Sequence, residues 1–313
     1  MSHCEAFNFE LLETPATESI SALFEELGVE HLMRESASQH LTGDPSWRLT
    51  LTDSFASTAA RIFDAPGYTI ARGSGESGAR TGRQTNGSYD IVISVQALFP
   101  DDLDSLSVEE ARAFILASAK HLSTHEAMHI ELSDRLEADD YFRDLITPLP
   151  RERLFWRNYV AVAIDEYRIE CAAQAIAPAP RSNIESFEYA AEALLDSLNQ
   201  SSAIAPFDFP KASDLVFGSV HNFLTHFAYT MAEHRSGYPL PEMKGILEEV
   251  KLELLHDLTS ETLSKIPDAR GLALVEELGV HGAQLSDSVQ EWLEELGITP
   301  KMNADMSYQI HWR

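Results

Sequence analysis

Thr124-His125-Glu126-Ala127-Met128-His129 is the stretch on which the reading of this chain turns, and it has the pattern H-E-x-x-H. On a helix, residues i and i+4 share a face. His125 and His129 can therefore grip one metal ion side by side, with Glu126 one step round, beside the ion's open position. In this layout two imidazoles hold Zn²⁺ and a glutamate takes a proton from water. The plain alternative is a solvated helix face that happens to carry two histidines. The flanking residues argue against it. Ala111, Ile115, Ser118, Leu122, His125, His129, Leu132 and Leu136 follow one another at spacings of three and four, which traces a single inner stripe over a helix from Ser107 to about Leu136. Both histidines fall on that stripe. Ser107-Val108-Glu109-Glu110 is a capping box and marks the helix start.

Catalytic zinc takes three protein ligands and leaves a position for water. Cys4 and Cys171 are the only cysteines and have no CxxC spacing, so a thiolate site is not expected. The candidates for the third ligand lie on a second helix, Arg151 to about Ala177. There Glu166 and Glu170, at i and i+4, share a line with Tyr159, Val162 and Ala173. Carboxylates on an apolar line need partners. Glu166 is assigned as the third ligand and Glu170 as the acceptor that fixes an imidazole tautomer. The reverse assignment stays open. Asp165 falls beside Asn158 and Arg168 on a wetter face and is expected in a surface ion pair.

HEAMH followed on a later helix by E-x-x-x-E resembles the gluzincin branch of the zincin metallopeptidases, in which a glutamate completes H-E-x-x-H. The stretch from Asp165 to Pro178 is also similar to bacterial ImmA/IrrE-type peptidases, and the likeness spans roughly residues 45 to 180. The resemblance implies a zincin-like lobe, zinc as the cofactor, Glu126 as general base, and a peptide or protein substrate. It implies that an acidic residue four positions after the ligand glutamate, here Glu170, supports a histidine, where aspartate is the commoner choice. It further implies a substrate-binding edge strand just before the H-E-x-x-H helix, for which Tyr89–Gln96 is the candidate. A Tyr or His from the distal lobe would face the oxyanion, and His221 and Tyr229, near one helical face, are the candidates.

Net charge is −27, with 50 acidic against 23 basic side chains, in 313 residues of which 44% are hydrophobic. So negative a surface repels phosphate backbones, and nucleic-acid binding is not expected. The two separated cysteines, the lack of an apolar signal sequence and the lack of a membrane-length apolar run give a cytoplasmic protein as the expectation, with no membrane partner. The sequence leaves the oligomeric state open.

The expected class is α+β and helix-dominated, with a zincin-like lobe over residues 1–180 and a helical lobe over 181–313 completing a cleft. Thr17 to about Ser36 has helical spacing. Trp47–Thr52 alternates as a half-buried strand. Tyr68–Arg72 is a further strand candidate, and Gly73–Ser88, carrying Arg80 and Arg83 close to Arg72, reads as a mobile basic loop. After Pro178 and Pro180 helical patterns cover Ile184–Leu198, Lys211–His234, Glu242–Leu258 and shorter pieces to about Leu296, with Ser307–Trp312 as a terminal strand.

Two other functions compete with zinc-dependent peptide hydrolysis. Glu126-x-x-His129 and Glu253-x-x-His256 are both ExxH motifs, as in ferritin-like di-iron carboxylate oxidoreductases. Leu247, Val250, Leu254 and Leu258 look like the buried stripe of the later helix, which would leave Glu253 and His256 mostly outward. The third reading is a non-catalytic zincin scaffold that binds or regulates.

Overall fold

A computed structural model describes residues 3–11, 15–66, 71–72, 75–76, 78–147, 156–205, 208–302 and 308–312. They are α+β and dominated by helix. The chain forms two compact units, one of residues 1–72, 76–136 and 172–181, the other of 73–75, 137–171 and 182–313.

The first unit is built on a four-stranded sheet. In chain order it contains β1 (His3–Glu10), α1 (Pro15–Leu27), α2 (Val29–Ser38), β2 (Ser46–Thr52) and α3 (Phe55–Ile62). The paired two-residue strands β3 (Ala71–Arg72) and β4 (Gly75–Glu76) follow, then β5 (Ala79–Arg83), β6 (Tyr89–Ser94) and α4 (Val108–Asp134). Strand order is β1-β2-β6-β5, with β1, β2 and β6 parallel and β5 antiparallel to β6. Pairing sets Trp47, Leu49 and Leu51 opposite Tyr89, Ile91 and Ile93. These side chains form one buried face with Val29, Met33 and Ala37 of α2 and Ile115, Ala119, Ala127 and Ile130 of α4. Alternation turns Arg48 and Asp90 to the other face, where the guanidinium donates to both carboxylate oxygens at 2.9 and 2.8 Å.

Three expectations change here. The helical spacing over Thr17–Ser36 is divided between two helices, with a break at Gly28. Tyr89–Gln96 is a strand only to Ser94, and it is not the edge: β6 lies between β2 and β5, and β5 ends the order. Five residues of the supposed mobile loop, Ala79–Arg83, are β5 itself, bonded along β6. Its arginines do not form one patch, because alternation sends Arg80 onto the Phe63 ring (4.5 Å) and Arg83 onto the Tyr89 ring (5.8 Å). Gly82 permits this packing, since a Cβ there would stand 2.5 Å from Phe63 Cε1. Residues 68–70 of the other strand candidate lie outside the described residues, and Ala71–Arg72 is β3.

α4 begins as expected. Ser107 Oγ accepts from Glu110 N (3.2 Å), and the Glu110 carboxylate accepts from Ser107 N (2.9 Å). Ser107→Ala is expected to cost about 1 kcal/mol, measured by urea denaturation, and an unchanged midpoint would contradict the cap's role. The helix is amphipathic only in its first half; from His121 to Leu132 it is buried on nearly every side. Glu131 fastens the far end, accepting from Thr42 N (2.8 Å) and Thr42 Oγ1 (2.7 Å).

The second unit is helical. It contains α5 (Asp139–Phe142), most of α6 (Arg157–Ile176), α7 (Ile184–Ile204), α8 (Phe209–Arg235), α9 (Ile246–Glu249), α10 (Leu252–Lys265) and α11 (Val275–Glu295). The antiparallel pair β7 (Ile298–Met302) and β8 (Tyr308–Trp312) closes it. The expected start of the second helix at Arg151 lies outside the described residues, as does Ser307 of the terminal strand. α6 is one unbroken helix whose residues 157–171 belong to the second unit and whose last turn belongs to the first. Trp156, Val160, Ile164, Tyr167 and Cys171 place it in a core with α7, α8 and α11, where Phe223 and Trp292 stack at 5.1 Å. The helix expected over Glu242–Leu258 breaks at Lys251, which has φ 52, while the expected short pieces beyond it include one long helix, α11. No helix among the described residues is long and apolar enough to cross a membrane.

Candidate metal centre

The site is carried on α4 and α6. His121, His125 and His129 stand one turn apart on one face of α4, with ring centroids 6.2 Å and then 5.3 Å apart. The chain from Ala172 to Arg181, which includes the end of α6, packs in the same unit as α4, and His121 Nδ1 meets Ala177 O at 2.8 Å. A carbonyl can only accept, so His121 Nδ1 is the donor in this contact.

Two overlapping groups of ligand atoms result. One atom each from His125, His129 and Glu166 lie within 4.8 Å of one another, as do atoms from His121, His125 and Glu170. All members of the second group are buried; in the first, His129 and Glu166 are partly exposed. Imidazoles with one carboxylate are a donor set suited to zinc and other first-row transition metals. The residues present thus fit a divalent metal ion, and the identity of the metal is not fixed by them.

Glu126 is buried, and its Oε2 accepts from Thr81 Oγ1 of the edge strand at 2.7 Å. Thr81 Oγ1 also lies 3.2 Å from the Glu126 main-chain oxygen. The carboxylate next to the first histidine is therefore held by β5.

Around Glu166 the second unit supplies α8. Tyr229 Oη donates to Glu166 Oε2 at 2.9 Å. His226, one turn earlier, is held neutral, its pKa lowered to about 4 by burial against the opposing pull of the Glu166 charge. Its buried Nδ1 has no hydrogen-bond partner among the described residues. Tyr229 thus meets a candidate ligand. His221 lies two turns earlier with its ring 5.6 Å from Tyr159 and belongs to neither ligand group.

Several features were not anticipated. His121 escapes a pattern that begins at His125, although a histidine at i−4 of H-E-x-x-H is itself visible in the sequence. Thr81 lay in the supposed loop. Asp165 and Arg168 are not on a wet face. Asp165 is buried, and its carboxyl is pushed well above the usual range by burial, then by the charges of Asp139 and Glu166. Arg168 is wholly buried and pairs with Glu137, not with Asp165. In the second ExxH motif Glu253 is exposed, and His256 contacts Asp257 (3.3 Å) and the His234 ring; neither joins the two ligand groups.

No protein-family model, no curated protein and no solved structure matches this chain.

Proposed function

We propose that this chain is a zinc-dependent metallopeptidase. The observation that carries the reading is the convergence of His125, His129 and Glu166 ligand atoms within 4.8 Å, next in sequence to a buried glutamate held by a threonine of the sheet's edge strand. Bound zinc would supply a Lewis acid that polarises water and the scissile carbonyl. His125 and His129 hold it from α4 and Glu166 from α6. Glu126 takes the water proton and passes it to the leaving amine, while Thr81 keeps its carboxylate aimed. An extended peptide adds to the outer edge of β5, which replaces β6 in this role because β6 has strands on both sides. Tyr229, which is bonded to Glu166, is the candidate oxyanion donor of this reading, and His221 is the second candidate.

The di-iron reading finds less support. Its second ExxH motif contributes nothing to the two ligand groups, and α4 packs on a sheet, not in a four-helix bundle. A non-catalytic scaffold differs from the peptidase only in turnover.

Metal content decides first. Protein purified and exposed to zinc, then dialysed, is expected to retain zinc by elemental mass spectrometry, with less in His129→Ala. Iron at two per chain would favour the di-iron reading. No retained metal would remove the basis for calling the chain an enzyme.

A further inference from the structure

We infer that the groove between α7 and α9 is a docking surface for a basic, amphipathic helix of a protein partner. The groove lies wholly within the second unit and shares no residue with the candidate metal ligands.

The first argument is shape. The groove has a volume of 580 Å³ and is lined by Glu192, Leu195, Asp196 and Asn199 of α7 and by Ile246 and Glu249 of α9. Leu195 and Ile246 are half-buried and pack against the core of the unit. α7 turns Phe187, Ala190, Ala191 and Leu194 into that core. Its outward stripe runs Glu185, Tyr189, Glu192, Asp196 and Asn199, all exposed, at spacings of four and three. The stripe covers about 21 Å of helix. A groove between two helices seats a third, which lays its apolar side chains on the aliphatic residues below.

The second argument is charge complementarity. The carboxylates of Glu185, Glu192, Asp196 and Glu249 have no ion-pair or hydrogen-bond partner among the described residues. The lysines that flank α9 in sequence are engaged elsewhere, Lys244 with Glu242 and Lys251 with Glu295. Unneutralised acids along one groove, in a chain of net charge −27, repel a second copy of the chain and attract a basic partner.

The third argument is Tyr189, which is independent of the acids. It is 58% exposed, stands on the stripe between Glu185 and Glu192, and has no ring contact among the described residues. A bare aromatic ring between carboxylates takes both the aliphatic stem and the charge of a lysine or arginine. A merely solvated acidic face needs neither this ring nor the aliphatic pair Leu195 and Ile246. Ring, aliphatic pair and acids together select a partner that carries basic and apolar side chains on one helix.

The test titrates the full chain into a fluorescein-labelled peptide of about 18 residues, made of lysine and leucine with the leucines on one helical face. Fluorescence anisotropy reads binding at about 0.15 M salt. A second peptide has the same composition in shuffled order. Wild type is expected to bind the patterned peptide at least about 10-fold more tightly than the shuffled one. Glu192→Gln with Asp196→Asn and Glu249→Gln is expected to weaken it at least about 10-fold, the sum of three exposed charge pairs. Glu276→Gln with Glu277→Gln and Glu291→Gln removes the same charge from exposed positions of α11 and is expected to stay within about 2-fold of wild type. Ile246→Asn leaves the charge unchanged and is expected to weaken binding about 5-fold. Tyr189→Ser, at an exposed position, serves where Ile246→Asn fails to fold by circular dichroism. Equal weakening in the two triple variants, or equal binding of the two peptides, means diffuse attraction to an acidic surface and overturns the inference. Absence of binding by wild type overturns it too. Displacement of the peptide by calcium chloride at constant ionic strength, through an ion that the groove variant no longer binds, makes the groove a cation site and overturns the protein partner.

Discussion

Glu126→Gln lowers peptide turnover by about 10²–10⁴-fold and leaves zinc bound. The amide has nearly the shape of the carboxylate and can still accept from Thr81 Oγ1, now 2.7 Å from Oε2. It cannot take a proton from water, and it is not a member of either ligand group, so chemistry fails while the metal stays. The measurement is kcat on a mixed fluorogenic peptide library, with zinc counted in the same samples. Loss of both activity and metal would make Glu126 a structural support. Full activity would eliminate it as the base.

Arg168→Met destabilises the protein by about 3–5 kcal/mol, the largest structural effect expected from one substitution here. Arg168 is 0% exposed and lies in the second unit. Its guanidinium donates to Glu137 Oε2 (2.5 Å), to Glu137 O (3.3 Å) and to Gly271 O (3.5 Å), and its Nε donates to Pro267 O (3.1 Å). The same Glu137 oxygen also accepts from Ala273 N (3.2 Å). Removing the arginine strands a buried carboxylate and three main-chain carbonyls. Removing Glu137 as well, in Arg168→Met with Glu137→Leu, should recover much of the loss, because the uncompensated charge goes with it. Urea denaturation of both variants measures this, and a loss below about 1 kcal/mol in the single variant would contradict the account.

The parts of this fold that local pattern specifies were legible. The capping box and the spacing of three and four set α4 down to its first residue, and the alternation of Trp47–Thr52 marked β2, whereas the β6 strand was expected only from the family resemblance. What failed had long-range causes. Ala79–Arg83 carries arginine, threonine and glycine, with no apolar alternation, and is a strand because β6 offers it an edge and Phe63 fills the space over Gly82. The shorter pieces expected before Leu296 include the single long α11, whose Gly279 and Gly282 let Leu145 and Ile146 press against it; a Cβ on Gly279 would meet Leu145 Cβ at 2.7 Å. Asp165 and Arg168 looked solvated because their surroundings come from Asp139, Glu137 and Pro267, far away in sequence. At the centre, H-E-x-x-H and the glutamate pair were readable from helix geometry alone. His121 was missed because the pattern begins at His125, and its contact with a carbonyl 56 positions later is long-range.

The discontinuity of the first unit has a consequence for biosynthesis. A ribosome releases residues 1–136 first, with the three histidines already in place, but Ala172–Arg181, which includes the carbonyl that orients His121, emerges only after the whole of Glu137–Cys171. At about 5–20 residues per second that interval lasts seconds, longer than a helix needs to form. During it the nascent chain displays an exposed row of imidazoles to whatever metals the surroundings hold. The glutamates arrive just ahead of the missing segment, so selection of the ion and closure of the fold belong to the same moment of translation.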